Sequence, residues 1–295
     1  MENRLPRNRT VATYSIVAAD LAVGDLGIAV ASKFLACGAV VPWASAGAGA
    51  VATQSFSNTA YGPDGLKMMR NGLSASETLA GLLADDPDRD LRQVGLVDAR
   101  GGAAAHTGPG CYAWAGHHVG DGFACQGNIL VGKDTVDAMA AAFRAAKGEL
   151  SSRLLSALAA GEAAGGDRRG KQASALYVVR SKGGYGGMND VLVDLRVDDH
   201  PEPIRELYRL RDLRDLYFGT SPANEKLSIN GQTLTELKRI MKRAGHYGGD
   251  EAPAWDEATM KALEAFVASE NFEERVDLKA RTIDLPVMEY LRRQL

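Results

Sequence analysis

Two short apolar runs near the start constrain the fold most: Thr13-Tyr14-Ser15-Ile16-Val17-Ala18, then Leu26-Gly27-Ile28-Ala29-Val30-Ala31-Ser32-Lys33. A glycine-bearing turn around Gly24-Asp25 joins them, so the pair reads as a β-hairpin. A hydroxyl residue, Thr13, begins its first strand and Lys33 closes its second. In a sequence poor in nucleophile signatures, this pair is the strongest pointer to chemistry.

Downstream of the hairpin, strands alternate with paired helices. Ala44 to Gln54 (ASAGAGAVATQ) reads as a strand of small residues that admits close approach to its backbone. Ser74-Ala75-Ser76-Glu77 is a capping box opening a helix with Leu79, Leu82 and Leu83 on one face. Gln93–Asp98 and Ala103–Thr107 read as a hairpin through Arg100-Gly101-Gly102, and Gly122–Gln126 as another strand. Two helices come next, one carrying Val136, Met139, Ala140 and Phe143. The other carries Leu154, Leu155, Leu158 and Ala159, with Ser151 as N-cap and Gly161 near its end. Ala173–Arg180 and Val191–Val197 are strands separated by a glycine loop from Gly183 to Gly187. Strands, paired helices and strands again predict an α+β layering, two sheets covered by helices.

A helix from His200 to Tyr217 leads to a linker at Gly219-Thr220-Ser221-Pro222. Beyond it, Thr233-Leu234-Thr235-Glu236 reads as a second capping box, with Leu237, Ile240 and Met241 apolar and Gly245 as the stop. A further helix starts near Asp256 and presents Met260, Leu263, Phe266 and Val267, and a last one carries Val287, Met288 and Leu291. The division expected is a first domain over 1–218 and a small helical one over 222–295.

With 295 residues, 45% hydrophobic and 24% charged, the sequence suits a globular protein with a substantial core. A net charge of −3 gives no electrostatic reason to expect nucleic acid or an anionic membrane. Cys37, Cys111 and Cys125 are sparse and odd in number, which favours a reducing compartment. MENRLPRNRT is basic, but VATYSIVAAD after it lacks the apolar stretch and cleavage site of a signal peptide. The expectation is a cytoplasmic homodimer.

TYSIVAAD, GIAVASKF, VPWASAGAGAVATQ, YGPDGL, QGNIL, AGGDRRGKQASAL and VDLRVDDHPEP, in that order and spacing, resemble the DUF1028 family. That family is grouped with the N-terminal-nucleophile (Ntn) hydrolases. The resemblance runs from about Thr13 to Leu210 and implies a four-layer αββα sandwich. LTELKRIMKRAGHYGG with ATMKALEAFVASENF is similar to a helical peptidoglycan-binding-like domain, making a peptidoglycan fragment one expected partner.

Ntn chemistry uses a Thr, Ser or Cys exposed as a new N-terminus, whose free α-amine serves as base for its own side chain. The resemblance gives Thr13 that place, after cleavage of Ala12-Thr13. Where proteasome-like members of the superfamily carry an Asp within the second strand, this sequence has Ala31 followed by Ser32. Without that chemistry Thr13 is a β-favouring strand residue. Lys33, facing Thr13 or Ser15 across the hairpin, would lower a hydroxyl's pKa or stabilise an oxyanion; otherwise it is a strand-end lysine in solvent. Gly47 and Gly49 offer backbone N–H groups for an oxyanion hole, or merely allow close helix packing, with Gln54 at the end of the same strand.

Gln126 and Asn128, two amides around a glycine, fit a pocket wall for a small polar substrate. Within Asp167-Arg168-Arg169, an Arg either clamps a substrate carboxylate or is held by Asp167 in a structural bridge. Asp198-Asp199-His200 and His117-His118 look metal-like, yet adjacent strand residues point to opposite faces, so neither chelates alone. His106 reads as a plain strand residue. No nucleotide-binding pattern is present, and neither a metal nor another cofactor is expected. The activity expected is hydrolysis of a small amide or peptide-like substrate; the alternative is a non-catalytic protein holding a small ligand on the same scaffold.

Overall fold

The computed structural model describes residues 13–293. Its elements are β1 (Thr13–Asp20), β2 (Asp25–Ser32), β3 (Pro42–Ser45), β4 (Gly49–Ser55), α1 (Tyr61–Arg70), α2 (Ala75–Ala84), β5 (Arg92–Asp98) and β6 (Ala103–Thr107). Then come β7 (Gly116–Gly120), β8 (Phe123–Gly127), α3 (Asp134–Ala145), α4 (Leu150–Ala163), β9 (Ala173–Val179), β10 (Val191–Val197) and α5 (Pro203–Phe218). The remainder is β11 (Lys226–Ser228), α6 (Gly231–Arg243), α7 (Glu257–Ser269), β12 (Val276–Asp277), β13 (Thr282–Asp284) and α8 (Leu285–Arg292).

The hairpin forms as the sequence indicates, with Thr13 opposite Ser32 and Asp20 opposite Asp25. It sits at the centre of a six-stranded antiparallel sheet in the order β10-β9-β2-β1-β8-β7. Its central position explains why β1 and β2 show no polar alternation: both of their faces are covered. Val17, Ile28 and Val30 meet Ala50, Ala52 and Val97 of a second, four-stranded sheet, ordered β3-β4-β5-β6. Opposite these, Tyr14 turns toward Gly161 of α4. Helices α3 and α4 cover the six-stranded sheet, while α1 and α2 cover the four-stranded one. The Ser74 capping box is present, with Ser74 Oγ accepting from the Glu77 amide and Glu77 bonding back to the Ser74 amide.

Several local expectations change. Ala44–Gln54 is two strands, because the chain turns through Gly47 at φ 71. Strand β7 has no counterpart in the sequence pattern. α4 begins at Leu150, one residue before the expected cap; Ser151 is buried inside its first turn and Gly161 lies within it. α6 begins at Gly231, so Thr233 is internal, and Glu236 pairs with Gln232 and Arg292 rather than closing a box.

The chain divides into two compact units between Tyr208 and Arg209, inside α5 and ahead of the expected linker. The reason lies in α5 itself: Leu216 and Tyr217 pack on the second unit's core of Leu237, Leu263, Phe266 and Val287. That unit is not wholly helical, since β11, β13 and β12 form a small sheet whose two- and three-residue strands are too short to leave a sequence pattern. Asp256 caps α7 by accepting from the Thr259 amide. Among the described residues no helix is long and apolar enough to cross a membrane.

Leu154 of α4 is fully buried beneath the hairpin sheet. Leu154→Ala is expected to lower the first unit's stability by about 2–5 kcal/mol, read from its urea unfolding transition.

Candidate active site

Antiparallel pairing brings the start of β1, the ends of β2, β4, β6 and β8, and the starts of β5, β7 and β9 to one end of the first unit. At that end the apolar inter-sheet core gives way to amides and hydroxyls. Thr13, Ser15, Gln54, Gln93, Gln126 and Asn128 are all fully buried there.

Backbone carbonyls fix the direction of the hydrogen bonds that join the carboxamides. Gln93 Nε2 donates to Gly127 O (2.8 Å), Gly116 O (3.2 Å) and Thr107 Oγ1 (3.0 Å), so Gln93 Oε1 is left to accept. It accepts from Gln54 Nε2 (2.8 Å) and Asn128 Nδ2 (2.9 Å). Gln54 Nε2 also donates to Thr13 O at 3.2 Å, which leaves Gln54 Oε1 to accept from Ser15 Oγ at 2.7 Å. Ser15 Oγ in turn accepts from Gln126 Nε2 at 2.7 Å. Two oxygens end the chain without a partner among the described residues: Gln126 Oε1 and Asn128 Oδ1. Gln126 lies so close over β5 that a Cβ on Gly95 would clash with Oε1, so position 95 admits no larger residue undisturbed.

Thr13 is held at the edge of this cluster, at the start of β1. Its carbonyl accepts from the Asn128 amide at 3.0 Å as well as from Gln54, and its Oγ1 donates to Ser32 Oγ at 3.2 Å. Ala12, the other side of the bond whose cleavage would free Thr13, lies outside the described residues. Ser15 is engaged both as donor and acceptor, which suits a spacer between two amides better than a nucleophile.

The other expected residues divide. The residue opposite Thr13 is Ser32, so Lys33 does not face Thr13 across the hairpin. Lys33 falls just beyond the paired strand, with its amide on Asp167 Oδ2 (3.0 Å) and its exposed ammonium on Lys171 O (3.2 Å). Gly47 and Gly49 are at the opposite end of β4 from Gln54; five residues of strand span about 17 Å. Neither is an oxyanion donor to Thr13, and a Cβ on Gly49 would meet Met69 and the Val97 carbonyl instead. Asp167 is nearly fully buried and takes Arg169 through both oxygens, at 3.1 and 2.9 Å, while Arg168 donates to Ala113 O at 2.7 Å. Of the two readings of this loop, the geometry is that of the structural bridge.

Gln93, Ser32, Thr107 and His117 also belong to the cluster, although no sequence signal singles them out for it. His117 Nδ1 lies 2.9 Å from Thr107 Oγ1. Burial, with smaller contributions from His106 and His118, holds the His117 imidazole below its usual pKa and favours the neutral ring. The register would have marked Ser32 and Gln93; neither has a sequence motif. Among the described residues no group of three or more His, Cys, Asp or Glu is placed to hold a metal.

A second network braces the loop after β4. Asp86 accepts from Arg92 Nε (2.8 Å), Tyr61 Oη (2.8 Å) and Asn58 Nδ2 (3.2 Å), while Arg92 Nη1 donates to Phe56 O at 2.6 Å. Burial acts to raise the Asp86 pKa, but these donors outweigh it and hold the carboxyl well below the usual range.

The model of the DUF1028 family, a family of unknown function, matches residues 13–207. A model of a peptidoglycan-binding-like domain matches residues 217–291. The crystal structure of a protein from Silicibacter pomeroyi, itself assigned to DUF1028, is similar with 30% sequence identity and a TM-score of 0.63, covering 69% of this chain and 89% of that one. No curated protein matches.

Because the Asp86 carboxyl is held low, its contribution is complete above the unfolded-state value of about 3.9 and is lost as pH falls toward the folded-state value. Asp86→Asn, which leaves Arg92 only its longer contact with the exposed Asp88 carboxylate at 3.4 Å, is expected to cost about 3 kcal/mol at neutral pH. The difference between parent and variant should narrow below about pH 4, as denaturant melts across pH will show.

Proposed function

The chain belongs to the DUF1028 family, and from that premise we propose that its first unit is an Ntn-type amidohydrolase on a four-layer αββα sandwich, acting on a small amide or peptide-like substrate. The observation that carries this reading is the placement of Thr13. It heads the central strand of one sheet, its carbonyl is pinned by Asn128 and Gln54, and its hydroxyl is 3.2 Å from that of Ser32. A nucleophile needs this kind of fixed backbone, because a small misplacement of the attacking oxygen forfeits much of the rate.

In this reading, cleavage of Ala12-Thr13 frees the Thr13 amine. The unprotonated amine takes the proton from Oγ1 as that oxygen forms a bond to the substrate carbonyl carbon. The carbon–nitrogen bond then breaks, the departing amine carries off the proton, and the acyl group stays on Oγ1 as an ester. Water, deprotonated by the same amine, releases the acid and restores Thr13. In this reading Gln126 and Asn128 position the substrate, each through an acceptor oxygen that has no partner among the described residues.

The second reading, a non-catalytic small-ligand-binding protein, is favoured by the engagement of Ser15, Gln54, Gln93, Gln126 and Asn128 with one another while fully buried. For the second unit, the match to a peptidoglycan-binding-like domain supports retention of cell-wall fragments.

Two measurements separate the readings. Across a panel of small amides, Thr13→Ala is expected to lose at least about 10³-fold in turnover with the fold intact. The parent's rate should rise as pH climbs through an amine pKa of about 7.7–8.0, where the base becomes available. Undiminished turnover in Thr13→Ala contradicts the nucleophile assignment. Sedimentation with purified peptidoglycan is expected to carry the full chain down; a protein left in the supernatant contradicts the reading of the second unit.

A further inference from the structure

The first unit has a second concavity, away from Thr13, on the open flank where β3 of one sheet faces β9 and β10 of the other. It encloses about 190 Å³ and is lined by Trp43, Leu66, Tyr177, Asp194 and Arg196, with Gly38 at its rim. Strand β2 lies between its β9 wall and β1, and it shares no residue with the amide cluster. Pockets for drug-sized ligands run to about 300–1,000 Å³, so this one suits something smaller than a nucleotide or a polymer segment.

Its chemistry is divided. Trp43, Tyr177 and Leu66 supply aromatic and apolar walls. Trp43 is fixed, because its indole N–H donates to Val40 O at 3.1 Å and its ring lies against Gly62. The charged groups of the lining are one carboxylate and one guanidinium. Both point to the same face of β10, since Asp194 is opposite Tyr177 and Arg196 opposite Ala175 on β9. They stand 3.9 Å apart, beyond hydrogen-bond distance, and each is about half exposed. The position of the guanidinium is also built: the Arg196 stem runs against Gly38, where a Cβ would come within 2.8 Å of Cδ.

An acid and a base side by side at the mouth of an apolar pocket complement a molecule with an ammonium and a carboxylate on one carbon. We propose that this cleft binds a free α-amino acid with an aromatic or large aliphatic side chain. Arg196 takes the carboxylate, Asp194 takes the ammonium, and the side chain lies between Trp43 and Tyr177. A simple carboxylate would meet the repulsion of Asp194, and a simple amine that of Arg196. The site is independent of Thr13 and stands whether or not the first unit hydrolyses amides.

Calorimetric titration of the full chain with L-phenylalanine tests it, with 3-phenylpropanoate and 2-phenylethylamine as probes lacking one charge each. Saturable binding of L-phenylalanine is expected, with each single-charge probe, and each of Arg196→Gln and Asp194→Asn, weaker by about tenfold or more. Both substitutions fall on a half-exposed edge strand, and unchanged melting temperatures would show that the fold is kept. Inward-facing charges on an edge strand also deter pairing with another chain. If that is their whole role, L-phenylalanine produces no saturable heat at millimolar concentration, and the proposal fails. It fails equally if 3-phenylpropanoate binds as tightly as L-phenylalanine, or if both variants bind like the parent.

Discussion

The geometry of the candidate site depends on one arrangement: carboxamides buried where two sheets meet. An amide removed from water must find partners or forfeit about 1–3 kcal/mol for each orphaned group. Here the partners are other amides, and the direction of the whole set follows from carbonyls that can only accept. Gly127 O and Gly116 O orient Gln93, Gln93 orients Gln54 and Asn128, and Gln54 orients Ser15 and through it Gln126. Thr13 is tied into this set by its carbonyl, which accepts from Gln54 and from the Asn128 amide, while its Oγ1 donates to Ser32 Oγ.

The same arrangement relates the two sheets. Below the amides the sheets are joined by Val17, Val30, Ala52 and Val97, a contact that specifies separation but little else. Directional bonds from Gln54 on β4 and Gln93 on β5 to the backbone of β1, β7 and β8 specify register as well. The braced Asp86–Arg92 pair extends that rigidity to the loop carrying Phe56, next to Gln54. Among the described residues the cluster ends in two buried acceptors, Gln126 Oε1 and Asn128 Oδ1.

Much of the architecture was legible because it is local. The hairpin, the capping box at Ser74 and the alternation of strands with paired helices each derive from neighbours in sequence. The site was legible only in part. Gln54, Gln126 and Asn128 mark themselves as amides at strand ends, and the structure gathers them. Gln93 and Ser32 carry no such mark and are brought in by register alone. Lys33 misled because one residue of register decides whether a side chain faces its neighbour or leaves the sheet. Gly47 and Gly49 misled because a turn hidden in a run of small residues moved them to the far end of β4. In the second unit, strands of two or three residues leave no periodicity to read.

The central claim is that Thr13 works as an N-terminal residue, and the intact mass and N-terminal sequence of the protein purified from a native-like host test it most directly. The account predicts a mature chain beginning at Thr13, with its amine free to serve its own hydroxyl. A protein that retains Ala12 ahead of Thr13 contradicts it, and would leave the amide cluster as the wall of a binding site without a nucleophile.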